Sequence, residues 1–399
     1  MKKLNKKHML IFGISIIVVI FIIVFLFMPK KVLELKGEST ETIALNSVYN
    51  DPGVNLKEAH KIGDIDTSHE GTYTIVYTYN NQKVTRTVKV IDNHRVIMNI
   101  NGSVDTYVKC GDPYIESGCH VIDKKDGNLT SKVKQEGSVN SNLVGDYSII
   151  YTVTNSEGLV VKRERRVHVV DSEDFLGNNV GIPVLMYHYV YTDEDVPKKL
   201  NANYIKNTEL EKQLQYLQKE QYYYPSYQEL QAYVEGKISL PKRSVILTFD
   251  DAQKGFLKYG IPLLEKYKVP ATSFVIGSKD GGMKVKEYAS EYISFQSHSY
   301  DMHCGGGNIG HGGIVSSLKT DEIVDDLKRA QSVVQNTEAF AYPYGDVTEN
   351  SQKAINETGI LCAFTTQHGK VKKGMDLTAL PRVRVIGTGT LKAFIASMK

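Results

Sequence analysis

The run VILTFDDA, Val245 to Ala252, ends an apolar, strand-like segment in two adjacent carboxylates, Asp250 and Asp251. Side chains alternate faces along a strand, so the pair can share one site only if the strand stops and the chain turns there. A second reactive group follows in SFQSHSYDMH, where His298 and His303 come directly after another apolar run, and a third is FAYPYG, Phe340 to Gly345. One acid with two histidines is a donor set suited to a divalent metal, zinc first, with positions left for water and substrate. The metal needs only one of the two acids. The other is free to act as base on water that the metal acidifies. Taken singly, an Asp pair in a turn or two histidines in a loop are ordinary surface residues; their arrival at successive strand ends points to a site.

The elements that must position them lie beyond Asp171, where DSEDFLGNN reads as a linker before GIPVLMYHYV. Strand-like runs (SVILTFDD, PATSFVIG, EYISFQSHS, EAFAYPYG, CAFTTQ, LPRVRV) then alternate with helical stretches such as NTELEKQLQYLQKEQY and TDEIVDDLKRAQSVVQ. This order predicts an α/β fold with a parallel sheet, open or closed into a barrel; the length suits a small (β/α) barrel, and in either arrangement the reactive site forms at the strands' carboxyl tips. His188 ends the first such strand and is expected on the same rim, either lining a substrate groove or held as a structural histidine. The segment CGGGNIGHGG, Cys304 to Gly313, has six glycines in ten residues and reads as a mobile loop, a poor scaffold for His311 as a ligand. With no tryptophan and 25 tyrosines in the chain, sugar stacking falls to Tyr300, Tyr342 and Tyr344.

Before the linker the chain repeats itself. Glu70 to Asp92 matches Val144 to Asp171 in order and pattern, each reading as a β-hairpin, and Tyr49 to Ala59 corresponds to Tyr114 to Thr130. Two small all-β sandwiches follow from this, over residues 32–93 and 94–171. Cys110 and Cys119, nine apart in the second, are either a disulfide or two free thiols, whereas Cys362 reads as a buried apolar residue. At the N-terminus MKKLNKKH precedes twenty uncharged residues, Met9 to Met28. That length spans roughly 30 Å of hydrocarbon. Residues 1–31 are therefore expected to be a cytoplasmic tail and an uncleaved transmembrane helix, with Lys2, Lys3, Lys6 and Lys7 held inside and the C-terminal bulk outside the cell membrane. Without the six lysines of this segment, 42 basic residues face 45 acidic ones, a balance of −3, and nothing in it suggests nucleic acid, so no nucleic-acid partner is expected. Oligomeric state is not written in the pattern.

These residues resemble two families. Residues 33–171 resemble the bacterial immunoglobulin-like modules of surface proteins, which serve as spacers or bind polysaccharide. Residues 180–399 resemble the polysaccharide deacetylases of carbohydrate esterase family 4, through TFDD, HSYDMH and YPYG in that order. The resemblance implies the distorted form of the (β/α) barrel, with Asp250 as catalytic base, Asp251, His298 and His303 as metal ligands, and the Tyr344 backbone amide as a catalytic stabiliser of the oxyanion. His188, Tyr300, Pro343, His368 and Arg382 are implied near the substrate.

The histidine spacing, with Met302 at the fifth place and His303 at the sixth, and the PVLMYHYV opening are similar to the branch acting on biofilm poly-β-1,6-N-acetylglucosamine. Peptidoglycan is the second choice of substrate. Two departures stand out. Ala341 occupies the place of an arginine that orients the base, and Arg382 in LPRVRV occupies that of a histidine general acid, for which His368 is the nearest substitute. They support a rival reading, an inactive polysaccharide-binding or adhesive surface protein. The leading expectation is a membrane-anchored, metal-dependent enzyme removing N-acetyl groups from an N-acetylglucosamine polymer.

Overall fold

The structure, a computed structural model, describes residues 31–92, 96–171, 173–177 and 180–398. The expected tail and anchor, residues 1–31, lie outside the described residues except for Lys31. Among the described residues no helix is long and apolar enough to cross a membrane. The chain divides into two units, residues 1–93 and 94–399.

The first unit is a four-stranded sheet in the order 40–44, 82–91, 71–79, 60–62. Its hairpin, Gly71–Tyr79 with Gln82–Ile91, turns through Asn80 and Asn81, with Asn80 at φ 50°, as a two-residue hairpin turn requires. Opposite this sheet the segments bridged at Leu35 and Val54 pack Leu33, Leu35, Val54 and Leu56 against Ile75 and Tyr77, so the second layer of the expected sandwich is held by a bridge rather than a second sheet.

The second β module is a two-layer sandwich. Strands 105–109, 160–170, 145–154 and 134–136 form one sheet, and 96–100, 119–123 and 127–128 the other. Their inward residues, among them Met98, Val121, Ile149, Val153 and Val167, make a common core. Cys110 and Cys119 are free thiols.

The two repeats share a feature that hydropathy hides. Arg86 and Arg165 hold matching places and both are fully buried. Arg165 donates from Nε to Tyr151 Oη (3.1 Å) and from its Nη atoms to the carbonyls of Ser103, Asn101 and Gly118. Tyr151 in turn donates to Glu116, as Tyr77 does to Asp51 in the first unit. A buried guanidinium is costly unless its donors are met; Arg165 meets all of its donors and draws loop carbonyls from distant segments onto one point, whereas Arg86 leaves its Nε without a hydrogen-bond partner.

From residue 184 a closed barrel of seven parallel strands follows: β1 (Val184–Tyr187), β2 (Ile246–Phe249), β3 (Ala271–Val275), β4 (Ile293–Ser297), β5 (Ala339–Ala341), β6 (Cys362–His368) and β7 (Leu380–Arg384), with β7 pairing back to β1. The strands are buried on both faces, which is why they read as continuous apolar runs without alternation. Helices α1 (Asn207–Lys219), α2 (Tyr227–Val234), α3 (Ile261–Tyr267), α4 (Gly281–Glu287), α5 (Thr320–Val334), α6 (Glu349–Glu357) and α7 (Leu391–Met398) cover the outside. No helix separates β6 from β7. Cys362 is buried in β6, as expected.

The second sandwich is no free spacer, because it is packed onto the barrel. Ser103 and Tyr224 exchange hydrogen bonds, Ser103 N to Tyr224 O (2.8 Å) and Tyr224 N to Ser103 Oγ (2.9 Å). Ser117 Oγ meets Ser226 Oγ, the cap of α2, at 2.6 Å. Asn99 donates to Glu291 O just before β4, and Asn101 to Glu338 just before β5. At Gly102, φ 77°, a Cβ would stand 2.7 Å from Ser226 N, so only glycine permits this approach. All these barrel residues enter strands or helices at the barrel's N-terminal end. The sandwich therefore floors the barrel opposite the expected site.

Glu338 accepts from Gln228 Nε2 (2.6 Å), Asn101 Nδ2 (2.7 Å) and Gln296 Nε2 (3.2 Å). Burial raises its carboxyl above the usual range, with the Gln228 and Gln296 amides opposing. A carboxyl raised on folding holds its proton more tightly when folded. Its stabilisation is thus present below about pH 4 and is lost as pH rises through the folded value. Glu338→Gln removes this titration, so the variant's melting temperature should gain on the parent's between about pH 4 and pH 7. A constant difference across that range would show that Glu338 does not titrate there.

Candidate active site

The opening question about two adjacent acids has a backbone answer. Asp250 continues the strand ladder, its N–H donating to Tyr187 O (3.0 Å), but Asp251 and Ala252 then take φ 73° and 44°. Two successive left-handed residues reverse the chain and bring the second carboxylate to the rim beside the first. For residues other than glycine this conformation costs of the order of 1–3 kcal/mol each, and it persists where the surroundings over-determine it.

Asp250 is buried, and Arg382 from β7 grips both of its oxygens, Nη1 to Oδ1 at 2.7 Å and Nη2 to Oδ2 at 2.8 Å. The same guanidinium donates to Thr365 O (3.0 Å) and Thr248 Oγ1 (3.1 Å). Burial alone would raise the Asp250 pKa; the Arg382 charge reverses this and holds the acid ionised. Arg382, expected near substrate, is thus fully buried and orients the base. It fills from β7 the place left empty by Ala341 on β5. Ala341 serves through its backbone, its carbonyl accepting from His298 Nδ1 at 2.7 Å.

That bond fixes the histidine's tautomer. A carbonyl cannot donate, so the proton is on Nδ1 and Nε2 presents its lone pair. His298 Nε2 and His303 Nε2 lie 3.5 Å and 3.2 Å from Asp251 Oδ1, and the three donor atoms fall within 4.8 Å of one another. Acceptor atoms converging this closely repel unless a cation sits among them, so the donor set fits a divalent metal with open positions. Tyr189 Oη donates to Asp251 Oδ2 at 2.7 Å, leaving Oδ1 to the histidines.

Two further acids hold the loops. Asp326 on α5 accepts from the N–H groups of Tyr300 (2.7 Å) and Asp301 (2.8 Å), shaping the five-residue step between the histidines. Met302 within that step is buried in the core, which accounts for the long spacing. Asp346, also buried, accepts from His311 N and Gly313 N, both at 2.8 Å. The glycine segment expected to be mobile is therefore tied to the rim, and Gly305 pairs with Gly313 in a bridge. His311 itself is largely exposed and stands outside the donor set.

Other expected contacts are distributed differently. His188 Nε2 lies 4.0 Å from Asp250 Oδ2, and burial lowers its pKa. Tyr344 sits at φ 61° with its ring exposed, 5.0 Å from the His303 ring. Pro343 is buried in that turn and Tyr342 is buried with Oη donating to Thr378 O, so neither offers a surface to sugar. The Arg329 guanidinium covers one face of the Tyr300 ring at 3.8 Å. His368 is exposed at the tip of β6, beyond the base and the donor set. A groove of about 560 Å³ runs from Asp251 and His303 past Tyr189, Met283 and Tyr288.

A parallel barrel carrying an arginine-held acid beside an Asp–His–His set at its carboxyl rim is the framework of a hydrolase. Residues 237–363 match the family described as Polysaccharide deacetylase, and residues 98–169 the one described as Bacterial surface protein, Ig-like domain. Residues 237–363 thus form a polysaccharide deacetylase domain and residues 98–169 an immunoglobulin-like domain, and the chain is an N-deacetylase. It is similar to YxkH of Bacillus subtilis (strain 168), 28% identical over 230 residues, which cover 55% of this chain and 77% of that one. It is also similar to the poly-beta-1,6-N-acetyl-D-glucosamine N-deacetylase of Staphylococcus epidermidis, 28% identical over 207 residues, covering 47% and 70% respectively. The solved structure of IcaB from Ammonifex degensii is 27% identical with a TM-score of 0.45, covering 51% of this chain and 91% of that one.

Removing one half of a buried ion pair strands the other. Arg382→Met should cost about 3–5 kcal/mol in denaturant unfolding, and adding Asp250→Asn should recover most of that loss. A double variant as unstable as the single one would show that the arginine acts through packing and its other hydrogen bonds.

Proposed function

We propose that this protein is a divalent-metal-dependent N-deacetylase of a β-linked N-acetylglucosamine polymer, poly-β-1,6-N-acetylglucosamine first and peptidoglycan second. We place it outside the cell on a membrane anchor formed by residues 1–31. The observation that carries the reading is the convergence of Asp251, His298 and His303 beside the arginine-held Asp250. The substrate order rests on the relatives named for poly-β-1,6-N-acetylglucosamine and on the open form of the groove. The anchor rests on the uncharged run from Met9 to Met28.

Asp251, His298 and His303 would hold the cation. When bound, it supplies a Lewis acid that polarises the acetyl carbonyl and acidifies water. Asp250 takes a proton from water as the oxygen attacks the acetyl carbon. Its basicity is low because Arg382 compensates its charge, but its position is fixed, and position is what a base acting on an acidified water needs. The Tyr344 turn offers a backbone N–H to the developing oxyanion. The C–N bond then breaks, and the proton carried by Asp250 is the one the leaving nitrogen requires. Acetate and a free amine result, and the neutral glycan becomes cationic.

The test is acetate release from poly-β-1,6-N-acetylglucosamine and from peptidoglycan in parallel, with metal analysis of the same samples. Asp250→Asn should lower turnover about 10²–10⁴-fold while keeping its metal, whereas His298→Ala or chelation should remove both metal and activity. Full activity in the chelated protein would overturn the metal reading; release from peptidoglycan alone would reverse the order of substrates.

A further inference from the structure

The groove beside the donor set carries a charge that a neutral glycan does not call for. Lys254, from the segment after Asp251, Lys279, from the segment between β3 and α4, and Lys284, from α4 itself, all line it. The one acid lining it besides the ligand Asp251 is Asp280. Among the described residues none of the three lysines is in an ion pair. Elsewhere on the barrel lysines find acids: Lys206 with Asp193 and Lys266 with Glu211 at 2.7 Å, Lys353 with Glu349 at 2.8 Å. Lys284 is also half-buried, and burial, helped by Lys279, lowers its pKa against Asp280 and Asp251. An ammonium withdrawn from water without a partner gains from a counter-charge supplied by a ligand.

We propose that this groove is an anion subsite, binding a glycan that carries a carboxylate or phosphate on a sugar near the reacting acetamide and disfavouring one whose neighbouring amines are already free. The inference rests on the reading of the site as a glycan deacetylase but not on the order of substrates given above, since it favours an acidic glycan over the neutral poly-β-1,6-N-acetylglucosamine. It makes the enzyme sensitive to its own product. Each deacetylation leaves an ammonium that the three lysines repel, so the groove favours dispersed sites over processive stripping.

The experiment is isothermal titration of the full chain with four soluble oligosaccharides of equal length. One is neutral and β-linked N-acetylglucosamine throughout, one carries a carboxylate ether on alternate sugars, one a phosphate ester, and one is fully deacetylated. An anionic oligomer should bind about tenfold more tightly than the neutral one at about 0.05 M salt, the deacetylated one most weakly, and the gap should close at about 0.5 M. The tighter of the two anionic oligomers identifies the anion.

The preference should vanish in the triple variant Lys254→Gln, Lys279→Gln, Lys284→Gln, and Lys284→Glu alone should narrow or invert it. Should the triple variant not fold, the single variant and the salt series carry the test. Equal affinity for neutral and anionic oligomers overturns the proposal. So does a preference that survives in the triple variant, since the anion would then be held by the cation of the site. Acetate release measured alongside separates the two readings: no acetate from any oligomer removes the deacetylase reading, while the order of affinities stands or falls by itself.

Discussion

The buried pair of Asp250 and Arg382 is the interaction on which the site depends. It ties the second strand of the barrel to the last, and the same guanidinium reaches Thr248 on the second strand and Thr365 on the sixth. A carboxylate in such surroundings would take up a proton if left alone, and a protonated acid is no base. The arginine keeps it charged and fixes both oxygens in one plane. Everything else at the rim is arranged around that fixed point: the left-handed reversal at Asp251 and Ala252, the imidazole tied to the Ala341 carbonyl, and the phenol of Tyr189.

The reactive residues were legible because each comes directly after an apolar run, and a parallel barrel places all such positions on one rim. The order of the three motifs then gave the family. What the sequence concealed was the traffic between elements distant along the chain. Ala341 looked like a missing function because an arginine was sought on the same strand; the guanidinium arrives from residue 382, where it had been read as a substrate contact. Asp326, Asp346 and Tyr189 carry no local signal, since an acid in a helix or after a turn is ordinary until its partners are seen. The glycine-rich loop misled in the other direction. Glycines permit mobility, but here they also permit the close approach that lets one carboxylate collect two backbone amides.

The same contrast holds in the β modules. The repeat was visible as alternation and as a shared order of tyrosines and glycines. That it preserves a buried arginine with a tyrosine and an acid, Arg86 with Tyr77 and Asp51, Arg165 with Tyr151 and Glu116, was not visible, because hydropathy places arginine outside. In the second module the satisfied guanidinium of Arg165 organises loops that too few apolar side chains are available to organise.

The floor formed by the second sandwich bears on the order in which the molecule is built. Residues 96–171 leave the ribosome before the first barrel strand, and their own core is complete without it. A closed parallel barrel is held by contacts between segments far apart in the chain and cannot be stable until its last strand arrives. The nascent barrel therefore condenses on a finished base, which offers backbone and side-chain partners to the α2 cap and to the entrances of β4 and β5 as each is synthesised.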